Sequence, residues 1–179
     1  MRAVESPEIL LTFGCVFAPM IAEATLSARH DRALRIRGAI EPEGDVYKVM
    51  QLAYPGCFVV LMAEGALRGV RWDVFMAAGT AIFVAAKALK YWAIASLGER
   101  WTFRVLVPPG STPTRRGPYR WLNHPNYVAV AGELAAVAIA MHAVVSGVPV
   151  TAVFLALMWR RVGVEEKAGT IRIFPPRKE

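Results

Sequence analysis

Arg116-Gly117-Pro118-Tyr119-Arg120-Trp121-Leu122-Asn123-His124-Pro125-Asn126-Tyr127 lies between a polar, proline-rich loop and a new apolar run. Gly117-Pro118 marks a turn. Pro125 suits the first turn of a helix, where its missing N–H leaves nothing unpaired. The reading therefore puts His124 and Asn126 at a helix N-terminus. Free backbone N–H groups and the positive end of the helix dipole favour an anionic group there. Arg116 and Arg120 stand just upstream. Read as structure only, the stretch is a basic turn anchoring a membrane helix, with Tyr119, Trp121 and Tyr127 as interfacial aromatics.

Working outward, apolar runs alternate with basic loops. The chain has 179 residues, 55% of them hydrophobic, and a net charge of +7. Its mean hydropathy is +0.37. These values predict an all-α, polytopic integral membrane helical bundle, read as a single domain over 1–179. About five transmembrane helices are expected, near residues 9–28, 46–67, 72–98, 126–145 and 149–162. The last two are short, and are read as a hairpin partly protected by protein. Residues 29–48 are polar, read as a surface helix followed by a turn-rich loop. No base-stacking aromatics accompany the basic residues there, so nucleic acid is not the expected partner. Glu5 and Glu8 precede the first run, which argues against a cleaved signal peptide. Cys15 and Cys57 lie inside apolar runs and read as packing residues.

Charge predicts the topology. Sixteen Lys and Arg residues fall in 29–48, 99–120 and 160–179, while Arg2, Arg68 and Arg71 occupy the opposite side. The bias puts both long loops and the C-terminus in the cytoplasm and the N-terminus outside.

Several charges interrupt the apolar runs. Glu23, near the end of the first, is read as reaching the interface. Lys87 and Lys90, at i and i+3, are read as snorkelling to a headgroup layer. Gly65-x-x-x-Gly69 would permit close helix contact, but it ends its run and carries little weight. Arg161 and Glu165, at i and i+4, share a helix face. Glu133 sits two turns into the fourth run, on roughly the face of Asn126. A carboxylate at that depth is a candidate site, with a buried Arg or a cofactor ammonium as partner. His142 is read as interfacial.

The motifs also resemble a known family. Gly117-Pro118-Tyr119-Arg120 followed by His124-Pro125-Asn126-Tyr127 is similar to the signature of the isoprenylcysteine carboxyl methyltransferases, relatives of the phospholipid N-methyltransferases. Ser96-Leu97-Gly98-Glu99-Arg100-Trp101-Thr102 resembles that family's Leu-Gly-x-x-Trp segment, and Arg161-Val162-Gly163-Val164-Glu165-Glu166 its Arg-x-x-x-Glu-Glu segment. The three pieces keep the family's order within 96–167. The resemblance implies an integral membrane O-methyltransferase using S-adenosylmethionine. It implicates His124, Tyr127, Glu165 and Glu166 in the cofactor pocket, with Arg161 near the reacting oxygen.

Chemistry adds Arg120 and the helix start at Pro125 as partners of the cofactor carboxylate. Arg161, Glu165 and Glu133 are the candidate catalytic residues. The expected acceptor is lipid-like and enters from the bilayer. If it is a prenylated cysteine carboxylate, Arg161 orients it. If it is a phenolic or quinol lipid, Glu133 or Glu165 serves as base. The sequence departs from the family after Glu166, where Lys167-Ala168-Gly169-Thr170 and a short basic tail replace an apolar continuation. Two other readings stand beside this one. An NADPH-dependent sterol-type membrane reductase shares a His-Pro-x-Tyr segment, but its usual Arg-Asp-Glu is Glu165-Glu166 here. A non-enzymatic membrane scaffold would keep the fold without the chemistry.

Overall fold

The computed structural model describes residues 6–112 and 114–167. The basic tail beyond Lys167 lies outside the described residues. Five helices make up the bundle: α1 Pro7–Ile36, α2 Tyr47–Arg68, α3 Val74–Leu97, α4 Pro125–Ala140 and α5 Gly147–Lys167. Among the described residues there is no strand, only an isolated bridge between Ile40 and Val107.

Local chemistry sets the helix ends. Pro7 occupies the first turn of α1 and Glu8 complements its dipole. The helix then runs on to Ile36, so the charged segment after 28 is not a separate surface helix but the last two turns of α1. Arg35 pairs with Asp31 one turn back (2.7 Å), which keeps that end helical. Gly69 closes α2 in the left-handed conformation. Asp73 caps α3 by accepting from the Met76 N–H (2.9 Å). Pro125 opens α4 with His124 at the cap position, as its sequence predicts.

Four of the helices, α1, α2, α3 and α5, are long and apolar enough to cross a membrane. Exposed Leu10, Leu11, Phe13, Phe75 and Trp159 give the bundle the apolar outside that lipid requires. The protein is thus an integral membrane helical bundle. The expected pair of short helices holds only for α4, whose 16 residues span about 24 Å. The fifth helix does not stop at 162. It continues to Lys167, and Arg161 pairs with Glu165 across residue 162 (3.2 Å).

The helices alternate in direction, which gathers all the long loops at one end. There Arg104 of the 101–116 loop reaches Glu41 (2.8 Å) and Asp31 (3.3 Å), and Arg35 also grips Glu41 (2.5 Å). Burial alone would raise the Glu41 carboxyl, but the two arginines outweigh it and hold the group below its usual range. His30 Nδ1 meets the Trp101 carbonyl (2.8 Å), and Ser27 Oγ accepts from the Phe103 N–H (2.7 Å). The long loop is therefore fastened onto α1. At the opposite end the Glu64 carboxylate accepts from Val145 N–H (3.0 Å) and Ser146 N–H (2.7 Å), tying α2 to the α4–α5 turn. His142 is half-buried there, 3.0 Å from Asp73.

The core packs Phe58 and Leu61 of α2, Met76 of α3 and Leu134 of α4. The closest approach joins α3 to α4 through small residues. A Cβ added at Gly79 would lie 2.5 Å from the Ala136 carbonyl and 2.7 Å from the Ala140 Cβ. Gly65 likewise faces Met141, while Gly69 has open space and serves only its turn. Close contact at the first of the two glycines is thus real, and is made with a loop residue.

Gly79→Val must push backbone away from backbone. It is expected to lower stability by about 1–3 kcal/mol, read as a reduced thermal midpoint in detergent. Gly14→Ala, with nothing within 4 Å of the new methyl, should leave that midpoint in place.

Candidate functional site

The turn 116–124 is shaped by one glycine. Gly117 has φ +55 and no room for a side chain against Ser96 and Trp92 of α3. A single 3-10 turn, Gly117–Arg120, follows, with Pro118 buried. The chain then enters α4 at His124.

Across from that helix start stands the last turn of α5. The His124 and Tyr127 rings stack with centroids 5.3 Å apart. The Tyr127 hydroxyl donates to the Glu165 carboxylate. His124 Nδ1 lies 3.3 Å from Glu165 Oε2, and Arg161 Nε 3.2 Å from Glu165 Oε1. Arg161 is buried, so this is not the exposed stem-end ion pair that its spacing alone would suggest. Its Nη1 lies 3.7 Å from Asp45 Oδ1. Asp45 also accepts from the N–H groups of Tyr47 (3.1 Å) and Val105 (3.0 Å). Nearby, burial and the Glu165 charge push the Tyr119 phenol well up.

Tyr119, His124, Tyr127, Arg161 and Glu165 line one end of a cavity of about 790 Å³, with Asp45 behind Arg161. Its remaining walls are largely apolar, with Phe17 and Met20 of α1 opposite Phe154 and Met158 of α5. The 101–106 segment closes it on the loop side, with Trp101 and Val105 buried. Ile21 both lines the cavity and is 66% exposed, so the wall reaches the lipid-facing surface. Asn126 Oδ1 faces the same space, buried and without a hydrogen-bond partner among the described residues.

A second cluster lies deeper. Lys87 Nζ sits 2.7 Å from Glu23 Oε1 and 3.3 Å from Glu133 Oε2. Lys90 Nζ sits 2.6 Å from Glu23 Oε2 and 3.4 Å from Glu133 Oε1. The Tyr54 hydroxyl donates to Glu133. All four charged residues are buried. The lysines therefore do not snorkel and Glu23 does not reach the interface. Two carboxylates and two ammonium groups neutralise one another inside the bundle, the pairing that charges at this depth require. The partner of Glu133 is this lysine pair, not an arginine.

The structure brings together His124, Tyr127, Arg161 and Glu165. Pro125 is buried at the helix start behind them. It does not bring in Arg120, which is exposed and lies over the Trp121 ring, 5.5 Å from its centroid. Glu166 is exposed on the next position of α5, and Glu133 stands one side chain behind the cavity wall. Asp45 is the residue that sequence reasoning missed. Its signal was slight, one acid at the end of Glu41-Pro42-Glu43-Gly44-Asp45.

The model of the isoprenylcysteine carboxyl methyltransferase family matches residues 79–170, just over half of the chain. A Bacillus subtilis protein, the uncharacterised YpbQ, is 28% identical over 158 residues, 88% of this chain and 94% of the relative. An uncharacterised protein of Haemophilus influenzae is 26% identical over 171 residues, 93% of this chain and 97% of the relative. No solved structure matches.

Asp45 couples α5, the 101–106 segment and the start of α2. Asp45→Ala is expected to remove about 1–3 kcal/mol of stability and to open the loop. Faster limited proteolysis between 99 and 116, with helical content unchanged, is the expected signature.

Proposed function

The chain belongs to the isoprenylcysteine carboxyl methyltransferase family, and from that premise we propose that it methylates a lipid-like acceptor with S-adenosylmethionine as donor. One observation carries the reading. His124, Tyr127, Arg161 and Glu165 converge at one end of a cavity that also has an apolar wall, with Phe17, Met20, Phe154 and Met158, and that reaches the lipid-facing surface at Ile21.

The residues fit the donor. Arg161 and His124 can hold a carboxylate, the guanidinium with two parallel donors. Glu165 can hold an ammonium or ribose hydroxyls. The unpartnered Asn126 Oδ1 offers an acceptor to a hydroxyl or amino group. When bound, the donor supplies an electrophilic methyl on a sulfonium sulfur. Methyl transfer asks the protein for alignment and for exclusion of water, not for a covalent intermediate. Alignment comes from α4 and α5, which fix the polar groups on rigid elements. Exclusion comes from Trp101, Val105 and Leu106, all buried over the cavity. The acceptor reaches this space through the apolar wall, with the lipid bilayer as its reservoir.

The same reading proposes a cytoplasmic site. The end of the bundle that holds the cavity mouth carries the Lys and Arg residues of segments 29–48 and 99–120, the side that the positive-inside rule assigns to the cytoplasm.

Two measurements test the proposal. Isothermal titration of the full chain in nanodiscs should give binding of S-adenosylhomocysteine and none of NADPH. His124→Ala should weaken that binding by roughly 1–3 kcal/mol, the range for a lost hydrogen bond to a charged group. Binding of NADPH alone would return the reductase reading. For orientation, a single cysteine placed at Glu99 in a chain freed of Cys15 and Cys57 should react with a membrane-impermeant maleimide only after the cells are opened. Labelling on intact cells would invert the topology.

A further inference from the structure

The donor end of the cavity makes no use of the buried ring formed by Glu23, Lys87, Lys90 and Glu133. Two features of that ring point beyond a structural tie. The first is asymmetry. Both lysines hold Glu23 at 2.7 and 2.6 Å, but they stand 3.3 and 3.4 Å from Glu133. Glu133 completes its contacts with the Tyr54 hydroxyl instead. It is the carboxylate that can take a proton while Glu23 still bridges both ammonium groups. The second is placement. Tyr54 and Lys90 line the cavity, and Glu133 does not. The Tyr54 hydroxyl therefore stands between the cavity and a carboxylate. The Lys90 ammonium is 3.5 Å from its oxygen and 5.2 Å from its ring centroid.

Acceptor chemistry gives this arrangement a use. A carboxylate is ionised at pH 7 and releases no proton when methylated. A neutral hydroxyl must lose one, and needs a proton acceptor within reach as it reacts. We propose that Tyr54, backed by Glu133 and flanked by Lys90, is the acceptor end of the site, and that the acceptor is a lipid with a neutral phenolic or enolic hydroxyl. The inference rests on the methyltransferase reading and narrows its acceptor class. As the acceptor O–H bond breaks, its proton passes to Tyr54 Oη while Tyr54's own proton moves to Glu133 Oε2. The freed pair on the acceptor oxygen forms the O–CH3 bond, and the methyl–sulfur pair stays on sulfur. Lys90 stabilises the negative oxygen as it develops. Tyr54 touches the acceptor, and Glu133 positions and drains it. The charged and titratable groups facing this pair are Glu23 of α1, Lys87, Lys90 and Tyr91 of α3, and Cys57 on Tyr54's own helix.

The test uses the full chain in nanodiscs, a long-chain meta-alkylphenol and a prenylcysteine analogue. Wild-type protein should bind the alkylphenol without any methyl donor and should methylate it when the donor is added. Tyr54→Phe removes one oxygen from an otherwise unchanged ring. It should weaken alkylphenol binding, lower kcat at pH 7 by roughly 10²–10³-fold, and leave S-adenosylhomocysteine affinity intact. The deficit should shrink as pH approaches about 10, where a phenol ionises unaided. Glu133→Gln should show the same pH-dependent recovery wherever it folds. Full turnover of Tyr54→Phe at pH 7 would overturn the proposal. So would a deficit equal at every pH, or a wild type active on the prenylcysteine analogue and inert toward the phenol. A wild type that fails to bind S-adenosylhomocysteine would instead refute the methyl-donor reading beneath it.

Discussion

Charge neutrality inside the bundle is the constraint from which the rest follows. Glu23, Tyr54, Lys87 with Lys90, and Glu133 come from α1, α2, α3 and α4 in turn. One polar cluster thus joins four of the five helices at their centre. Where lipid surrounds the outside, apolar burial does not distinguish one helix neighbour from another, because lipid tails are as apolar as leucine. Paired charges do distinguish them. A rotated α3 would leave two ammonium groups unpaired, and breaking a buried pair on one side costs about 3–5 kcal/mol. The small-residue contact at Gly79 supplies closeness between α3 and α4, and the charges fix their register.

The polar end is built by the same logic with different parts. Its members come from the N-terminus of α4 and the C-terminus of α5, far apart in sequence and adjacent because the two helices run antiparallel. Asp45, contributed by the 37–46 loop, then fixes Arg161 and the Val105 backbone together. The long loop over the cavity is held by salt bridges and backbone contacts to α1, which explains why so polar a segment has a defined path.

Much of this was legible in the chain. Helix positions follow from hydropathy, and the α4 start from His124-Pro125. The gathering of basic loops at one end follows from alternating spans. Arg161 and Glu165 follow from i, i+4 spacing and from the family motif. What was not legible is pairing across helices. Read singly, Glu23, Lys87 and Lys90 each had a reasonable route to water, because a long side chain near a helix end can snorkel. Only the sum, two acids and two bases inside apolar runs, pointed to an internal cluster. Arg120 failed in the opposite way. It stands beside His124 in sequence, but the 3-10 turn directs it to Trp121. α5 was drawn too short because its terminal charges read as an end, whereas Arg161 pairs with Glu165 on the helix itself.

The two polar clusters are linked by α4 itself. Tyr127 belongs to the first, Val130 lines the cavity between them, and Glu133 belongs to the second. The three residues lie at i, i+3 and i+6, a strip that winds about 120° round the helix as it climbs about 9 Å from one cluster to the other. α5 provides the facing wall with Phe154, Met158, Arg161 and Glu165 at i, i+4, i+7 and i+11, a single helix face. A reaction that demands alignment of donor and acceptor gains most when both ends are fixed on the same rigid elements. Helix geometry sets that separation here, with the loop serving as cover. On the proposed reading, the stretch between the clusters holds the chain of a lipid acceptor against α1 and α5 while its polar head meets Tyr54, whose hydroxyl donates to Glu133.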